Sequence, residues 1–333
     1  MLDAQQMKAT LKDVAAAAGV GISTVSYVLN ETGLNKVGIK TQERIRDAAR
    51  RLHYQPNVIA RGLRSGKSNL VGVLLPSINY SFMPEIIAGI DHVLASRGYN
   101  MLLCTVASDE ELKNKMTVIR QRQIDGVVIK SWGNLSEEGL QSAVGYDFPC
   151  VLVAMPDTAG YPAVLLDPEA LARTAVKRLL AAGHRKIAVT RRFEKAEVLR
   201  EEIASAGGPA PWTLDEHKKE ETLRDLFQHR ERFTAVIASD TFAFRILQEA
   251  HRQGIALPQE FSVLGIDGLN SGEYTTPRLT SIHQRQNEQG GTAAEILLDC
   301  IATGKRPSGC LLQPTILERD SVAAPPVTVS TKP

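Results

Sequence analysis

Residues 10–30, Thr-Leu-Lys-Asp-Val-Ala-Ala-Ala-Ala-Gly-Val-Gly-Ile-Ser-Thr-Val-Ser-Tyr-Val-Leu-Asn, decide how the rest of the chain is read. Two short helical patterns flank a glycine. Val14, Ala15 and Ala18 share one face of the first pattern, and Val25, Val28 and Leu29 share one face of the second, as the 3.6-residue period demands. Thr10 stands at the N-cap of the first helix, and Asp13 in its first turn complements the helix dipole. Gly19 can take the positive φ that ends that helix and turns the chain sharply. The second helix is expected to expose Ser23, Thr24, Ser26 and Tyr27, polar groups suited to base edges and phosphates in a major groove. This is a helix-turn-helix pattern whose second helix reads DNA. A plain alanine-rich helix pair would share much of it, so the flanking sequence decides.

That sequence is basic. A third helix is predicted over 41–52, with Ile45, Ala48, Ala49 and Leu52 at core spacing and Arg44, Arg46, Arg50 and Arg51 outside. A second basic segment runs from Tyr54 to Ser68. Through Ser68 the chain carries 11 Lys and Arg against 5 Asp and Glu, while the remainder carries 28 against 32. A basic head on an acidic body is the electrostatic footprint of a polyanion-binding module joined to something else.

The 333 residues, 43% hydrophobic and 23% charged, imply two or three globular domains. From Leu70 the texture changes to strands alternating with amphipathic helices. One set of strands is read at 70–76, 99–106, 125–129 and 149–154. A second set is read at 163–167, 186–190, 234–240 and 261–267. Such alternation indicates two doubly wound parallel sheets. Cys104, Cys150, Cys300 and Cys310 have no metal-ligand spacing and read as buried free thiols. Gly62 to Ser68 is one residue short of a phosphate-binding loop and precedes its strand, and the Gly19-Val20-Gly21 glycines follow no strand. No catalytic residue, metal site or cofactor is assigned. No signal peptide is recognised, no apolar run approaches the roughly 18 residues of a spanning helix, and the expected compartment is the cytoplasm.

The motifs at 10–20 and 23–30, Tyr54-Gln-Pro-Asn57 and Ala60-Arg-Gly-Leu-Arg-Ser-Gly66, in that order, resemble the DNA-binding headpiece of the LacI/GalR family of bacterial transcription regulators. The resemblance continues to about Ala323. It implies a small all-α headpiece at 1–55, a hinge helix or linker at 56–68, a periplasmic-binding-protein-like α/β body of two subdomains at 69–326, and a tail at 327–333. The chain of such a body crosses between subdomains more than once, so the helix near 292–301 is expected to return to the first. Carried over residue by residue, the resemblance places DNA against Thr10, Gly21, Ile22, Ser23, Thr24, Ser26, Tyr27, Asn30 and Tyr54. In the hinge it adds Asn57, Ala60, Arg61, Leu63 and Arg64, with Leu63 as the wedge that enters the minor groove.

Ligands of open α/β sheets bind beyond the carboxyl ends of the strands. That rule selects Ser77, Tyr80 and Phe82 after the first strand, Lys130 and Trp132 after the third, Arg191 and Arg192, then Asp240 and Asp267. Aromatic faces beside charged groups suit a polar ring such as a sugar. The chain also departs from the family. Gly21 and Gly38 replace capping serines, Tyr27 replaces a common arginine, and the loop from Glu31 to Lys36 looks longer than usual. The segment that usually carries an effector-holding arginine is shortened, leaving Lys195 nearest that position. Three readings remain: a dimeric regulator on a pseudo-palindromic operator, released by a small effector such as a sugar; the same dimer governed by a protein partner or by no ligand; and a sugar-binding transport component, which the basic headpiece opposes.

Overall fold

The computed structural model describes residues 9–31, 33–54, 67–131, 133–154, 160–190 and 193–326. It divides into two compact units, Met1–Ser68 and Asn69–Pro333. The tail at 327–333 and most of the hinge segment lie outside the described residues.

The first unit holds helices α1 (Leu11–Ala18), α2 (Ile22–Leu29) and α3 (Ile39–Arg51). Thr10 and Asp13 form a reciprocal capping box at the start of α1. Gly19 ends α1 in the left-handed region at φ 61°. Val14, Ala15, Ala18, Val25, Val28, Ile45, Ala48 and Ala49 form one core with Val37, against which Leu11, Val20, Leu29 and Tyr54 pack. Leu52, expected in that core, is 37% exposed because α3 ends one residue before it.

The second unit contains two sheets. The first has the order β11-β5-β4-β3-β1-β2, built from β1 (Leu70–Leu75), β2 (Asn100–Thr105), β3 (Gly126–Lys130), β4 (Cys150–Val153), β5 (Ala163–Leu166) and β11 (Cys310–Leu312). The second has the order β12-β10-β9-β8-β6-β7, from β6 (Ile187–Val189), β7 (Trp212–Thr213), β8 (Ala235–Ser239), β9 (Ser262–Asp267), β10 (Ser281–His283) and β12 (Thr315–Leu317). Every pairing is parallel except that of β12 with β10. The helices α4 (Met83–Ser96), α5 (Asp109–Gln121) and α6 (Glu137–Val144) belong to the first sheet's connections, while α7 (Pro168–Ala181), α8 (Ala196–Ser205), α9 (Lys219–Gln228) and α10 (Asp240–Arg252) belong to the second's.

One assignment is corrected. The strand at 163–167, expected in the second sheet, joins the first, because Ala163 and Val164 pair with Leu152 and Val153 and β11 adds beyond them. The chain then leaves for the second sheet after β5, returns in α11 (Gln286–Thr303) and β11, and leaves again for β12. α11 packs on α4, β3, β4 and β5, which is the return that the family resemblance implied.

The contact between α4 and α11 has no side chain to spare. A Cβ at Gly89 would collide with the Asn287 carbonyl, and one at Gly290 with the Ile86 carbonyl. The neighbouring Gly291 is different, because the nearest atoms to its Cβ position lie 3.6 Å away. Gly89→Ala and Gly290→Ala should therefore each destabilise the body by about 2–3 kcal/mol through backbone separation. Gly291→Ala should be neutral or stabilising by up to about 1 kcal/mol, the helix-propensity gain. Denaturant melts of the three variants check this contrast.

Candidate nucleic-acid interface and effector cleft

The second headpiece helix presents the expected face with two changes. Gly21 provides its N-cap in an extended conformation, with no side chain satisfying the first-turn N–H groups. Such a terminus is suited to a phosphate. Ile22 is 45% and Tyr27 40% exposed. Ser23 lies beside them and is exposed, and Thr24 is half-buried. Ser26, expected on this face, is instead buried and accepts a hydrogen bond from Asn30 Nδ2 at 3.1 Å. The same Asn30 amide donates to the Ser26 carbonyl at 2.9 Å, so this pair closes the helix end instead of facing outward. Thr10 is exposed but its hydroxyl donates to Asp13 Oδ2 at 2.7 Å, and Tyr54 packs on the headpiece core. Lys40, Arg44, Arg46, Arg50 and Arg51 line the outside of α3, with Arg50 ion-paired to Asp47. Asn57, Ala60, Arg61, Leu63 and Arg64 lie outside the described residues.

In the body, the residues selected by the strand-end rule fall into two groups. At the end of the first sheet, Tyr80 and Phe82 stack with centroids 6.0 Å apart. Lys130 reaches over the Phe82 ring, its Nζ 5.9 Å from the centroid. Burial pulls the Lys130 ammonium down to about 7, since a low-dielectric site disfavours the charge. Ser77 shapes the same loop by accepting from the Asn79 N–H at 3.1 Å. Trp132 lies outside the described residues.

At the end of the second sheet the arrangement differs from expectation. Asp240 is fully buried, so it does not offer its carboxylate to a ligand. Its Oδ1 accepts from Ser281 Oγ at 2.6 Å and its Oδ2 from the Leu269 N–H at 2.7 Å. It joins β8, β10 and the loop after β9 beneath the strand ends. Asp267 accepts from the Asp240 N–H at 3.3 Å and from Gln284 Nε2 at 2.8 Å, with 4% of its surface exposed. Lys195 is half exposed and turns to Glu197 on its own helix, 3.8 Å away, so it is not held at the strand ends. Arg191 and Arg192 lie outside the described residues.

Three contributors had no signal strong enough to select them. Glu216 accepts from the Ser239 N–H at 3.1 Å and from Thr190 Oγ1 at 3.3 Å, placing a carboxylate across the ends of β6 and β8. The strand-end rule would have found it, but β7 is too short to read as a strand. Gln284 comes from the second crossover. Glu85 of α4 accepts from Asn270 Nδ2 at 2.9 Å, which ties the first subdomain to the second, and its carbonyl accepts from Asn287 Nδ2 of α11 at 3.4 Å. Among the described residues no cluster of His, Cys, Asp and Glu could hold a metal, and no helix is long and apolar enough to cross a membrane.

Burial and the neighbouring Asp267 carboxylate push Asp240 up to about 7 from 3.8. The folded chain therefore keeps a proton that the unfolded chain has released over about pH 4 to pH 7, and stability contributed by that proton falls as pH rises through the window. Asp240→Asn should flatten the decline of melting temperature across this range. An unchanged slope assigns the decline to another group.

Residues 10–57 match the model of bacterial regulatory proteins of the lacI family. Residues 68–206 match periplasmic binding proteins and the sugar binding domain of the LacI family, and 176–322 a periplasmic binding protein-like domain. The chain is 30% identical to the HTH-type transcriptional repressor PurR of Vibrio cholerae serotype O1, over 94% of this chain and 98% of that one. It is 28% identical to the ribose operon repressor of Haemophilus influenzae, with the same coverage. The lac repressor dimer bound to operator and the anti-inducer ONPF has a similar fold, with a TM-score of 0.81 at 22% identity over 95% of this chain and all of that one. The transcriptional regulator CelR in complex with cellobiose superposes with a TM-score of 0.65 at 25% identity, again over 95% of this chain and all of that one. A helix-turn-helix headpiece on a two-sheet body, matched along nearly its whole length by such repressors, makes this chain a member of the LacI family of bacterial regulatory proteins, a DNA-binding transcription regulator and not an enzyme.

Proposed function

We propose that the chain is a cytoplasmic repressor acting as a homodimer on a pseudo-palindromic operator, with its DNA affinity set by a small polar-ring ligand, foremost a sugar, held between the two sheets. The observation that carries the ligand reading is the pairing of unlike chemistries at the two sheet ends. Stacked Tyr80 and Phe82 offer an apolar face, and half-buried Glu216, held in place by the buried Thr190 hydroxyl and Ser239 N–H, offers a carboxylate. A sugar needs both, since its C–H face stacks while its hydroxyls are hydrogen-bonded. The ribose operon repressor and the CelR–cellobiose complex among its relatives support the same class.

A ligand shifts DNA affinity only by binding two conformations of the cleft unequally. Glu85–Asn270 spans the two subdomains, so its making and breaking would follow the cleft. The second reading, control by a protein partner, draws support from Lys195, whose charge is directed at Glu197 instead of the strand ends.

Selection of bound DNA from a random pool should return a pseudo-palindrome with half-sites about 10 bp apart, or closer if hinge segments meet centrally. A thermal-shift panel of pentoses, hexoses, disaccharides and heterocyclic bases should then find a sugar that raises the melting temperature and changes operator affinity. Tyr80→Ala and Phe82→Ala should abolish that shift while retaining operator binding. A heterocyclic base as the active compound overturns the sugar class, and a single asymmetric site bound by monomer overturns the dimer.

A further inference from the structure

The headpiece core is small, yet its reading helix leaves two large apolar side chains outside it. Ile22 and Tyr27 are 45% and 40% exposed, whereas Val25 and Val28 of the same helix are almost wholly buried. Ser23 and Tyr27 stand one helical repeat apart on the outward face, and Ile22 adjoins Ser23 at its N-terminal edge.

Tyr27 is also not an isolated ring. The Lys36 Nζ sits 5.7 Å from its centroid, a cation–π contact. The backbone at Gly33 lies against both side chains. A Cβ there would stand 3.6 Å from Lys36 Cδ and 3.8 Å from Tyr27 Cδ1. Gly33 has φ 78°, a left-handed conformation that brings the loop back onto the helix. The short 3-10 turn Leu34–Lys36 that follows is pinned from α3, because Gln42 Nε2 donates to the Leu34 carbonyl at 3.0 Å and to the Val37 carbonyl at 2.8 Å. Lys36 thus reaches the reading helix on anchored backbone.

These side chains define a chemistry of readout. In the major groove a guanine edge presents two acceptors and is matched by paired donors, whereas a thymine presents a C5 methyl that is matched by apolar contact. Ile22 has no donor, and the Tyr27 ring offers an apolar edge while its face is covered by the ammonium. A lysine ammonium is a compact charge with three donors, suited to a phosphate oxygen. We propose that Ile22 and Tyr27 recognise thymine methyl groups at two positions of each half-site, and that Lys36, carried on the Tyr27 ring, clamps the adjoining phosphate. The proposal rests on the chain being a DNA-binding regulator and states which bases this particular headpiece prefers.

The test uses the full chain. Random-pool selection should return thymine at two positions of each half-site. Replacing those thymines singly by uracil removes only the methyl and should weaken binding about fourfold, the equivalent of roughly 0.8 kcal/mol for one methyl group no longer buried. Ile22→Ala should erase the uracil sensitivity at one position and Tyr27→Ala at the other. Lys36→Met, which keeps an unbranched stem, should leave base preference unchanged and reduce the slope of log affinity against log salt by about 0.9 for each Lys36 engaged. Circular dichroism confirms that these exposed-site variants remain folded. Uracil sites bound as tightly as thymine sites, or guanine selected at positions that Tyr27→Ala does not alter, overturn the proposal while leaving the regulator reading intact. A pool in which no sequence is enriched instead overturns the regulator reading itself.

Discussion

The backbones of α4 and α11 meet at Gly89 and Gly290 with no room for a methyl group between them. Much of the body depends on that approach. α11 belongs in sequence to the second sheet, following β10, and in space to the first, on which it packs. Its close seat against α4 anchors the return of the chain to the first subdomain. The first turn of α11 also supplies Asn287, and Glu85 of α4 meets both Asn287 and Asn270. The helix contact and the bond across the subdomains are parts of one junction.

Beneath the strand ends of the second sheet, a buried carboxylate pair ties neighbouring strands together. Asp240 draws Ser281 and the Leu269 amide toward itself, and Asp267 caps the N-terminus of α10 through the Asp240 N–H. Gly265 is part of the same construction, since a Cβ there would occupy the place of the Asp240 carboxylate. Hydrogen bonds to a buried acid hold it at the cost of its solvation. Burial first, and the like charge of Asp267 second, keep a proton on Asp240 to higher pH than a surface carboxyl would keep it. The aromatic pair at the first sheet is of a different kind, with Tyr80 left substantially exposed.

The headpiece shows how little core a three-helix unit can work with. Its buried apolar side chains are valine, alanine and isoleucine, and its ends are closed by hydrogen-bonding devices: the Thr10–Asp13 box, the left-handed Gly19, the Asn30–Ser26 closure and the Gln42 bonds to the turn before α3. Caps of this sort contribute on the order of 1 kcal/mol each, a large share for so small a unit.

The sequence by itself determined the helix-turn-helix, eight of the twelve strands and their division into two mainly parallel sheets, and the caps at Thr10, Gly21 and Gly38, because these follow from periodicity, backbone preference and strand alternation over short distances. It also selected Tyr80, Phe82 and Lys130, which stand at the end of strands long enough to recognise. Only the tertiary structure decided that β5 joins the first sheet, that Ser26 turns inward to Asn30, that Asp240 is buried on Ser281 and the Leu269 N–H, and that Lys195 turns to Glu197. It alone brought Glu216 to Thr190 and Ser239, and Lys36 to Tyr27. The physical reason is common to all of them: a strand end specifies where a side chain starts, but which neighbours compete for its hydrogen bonds or charge is set by residues distant in the chain, and that competition is resolved only when the sheets and helices pack.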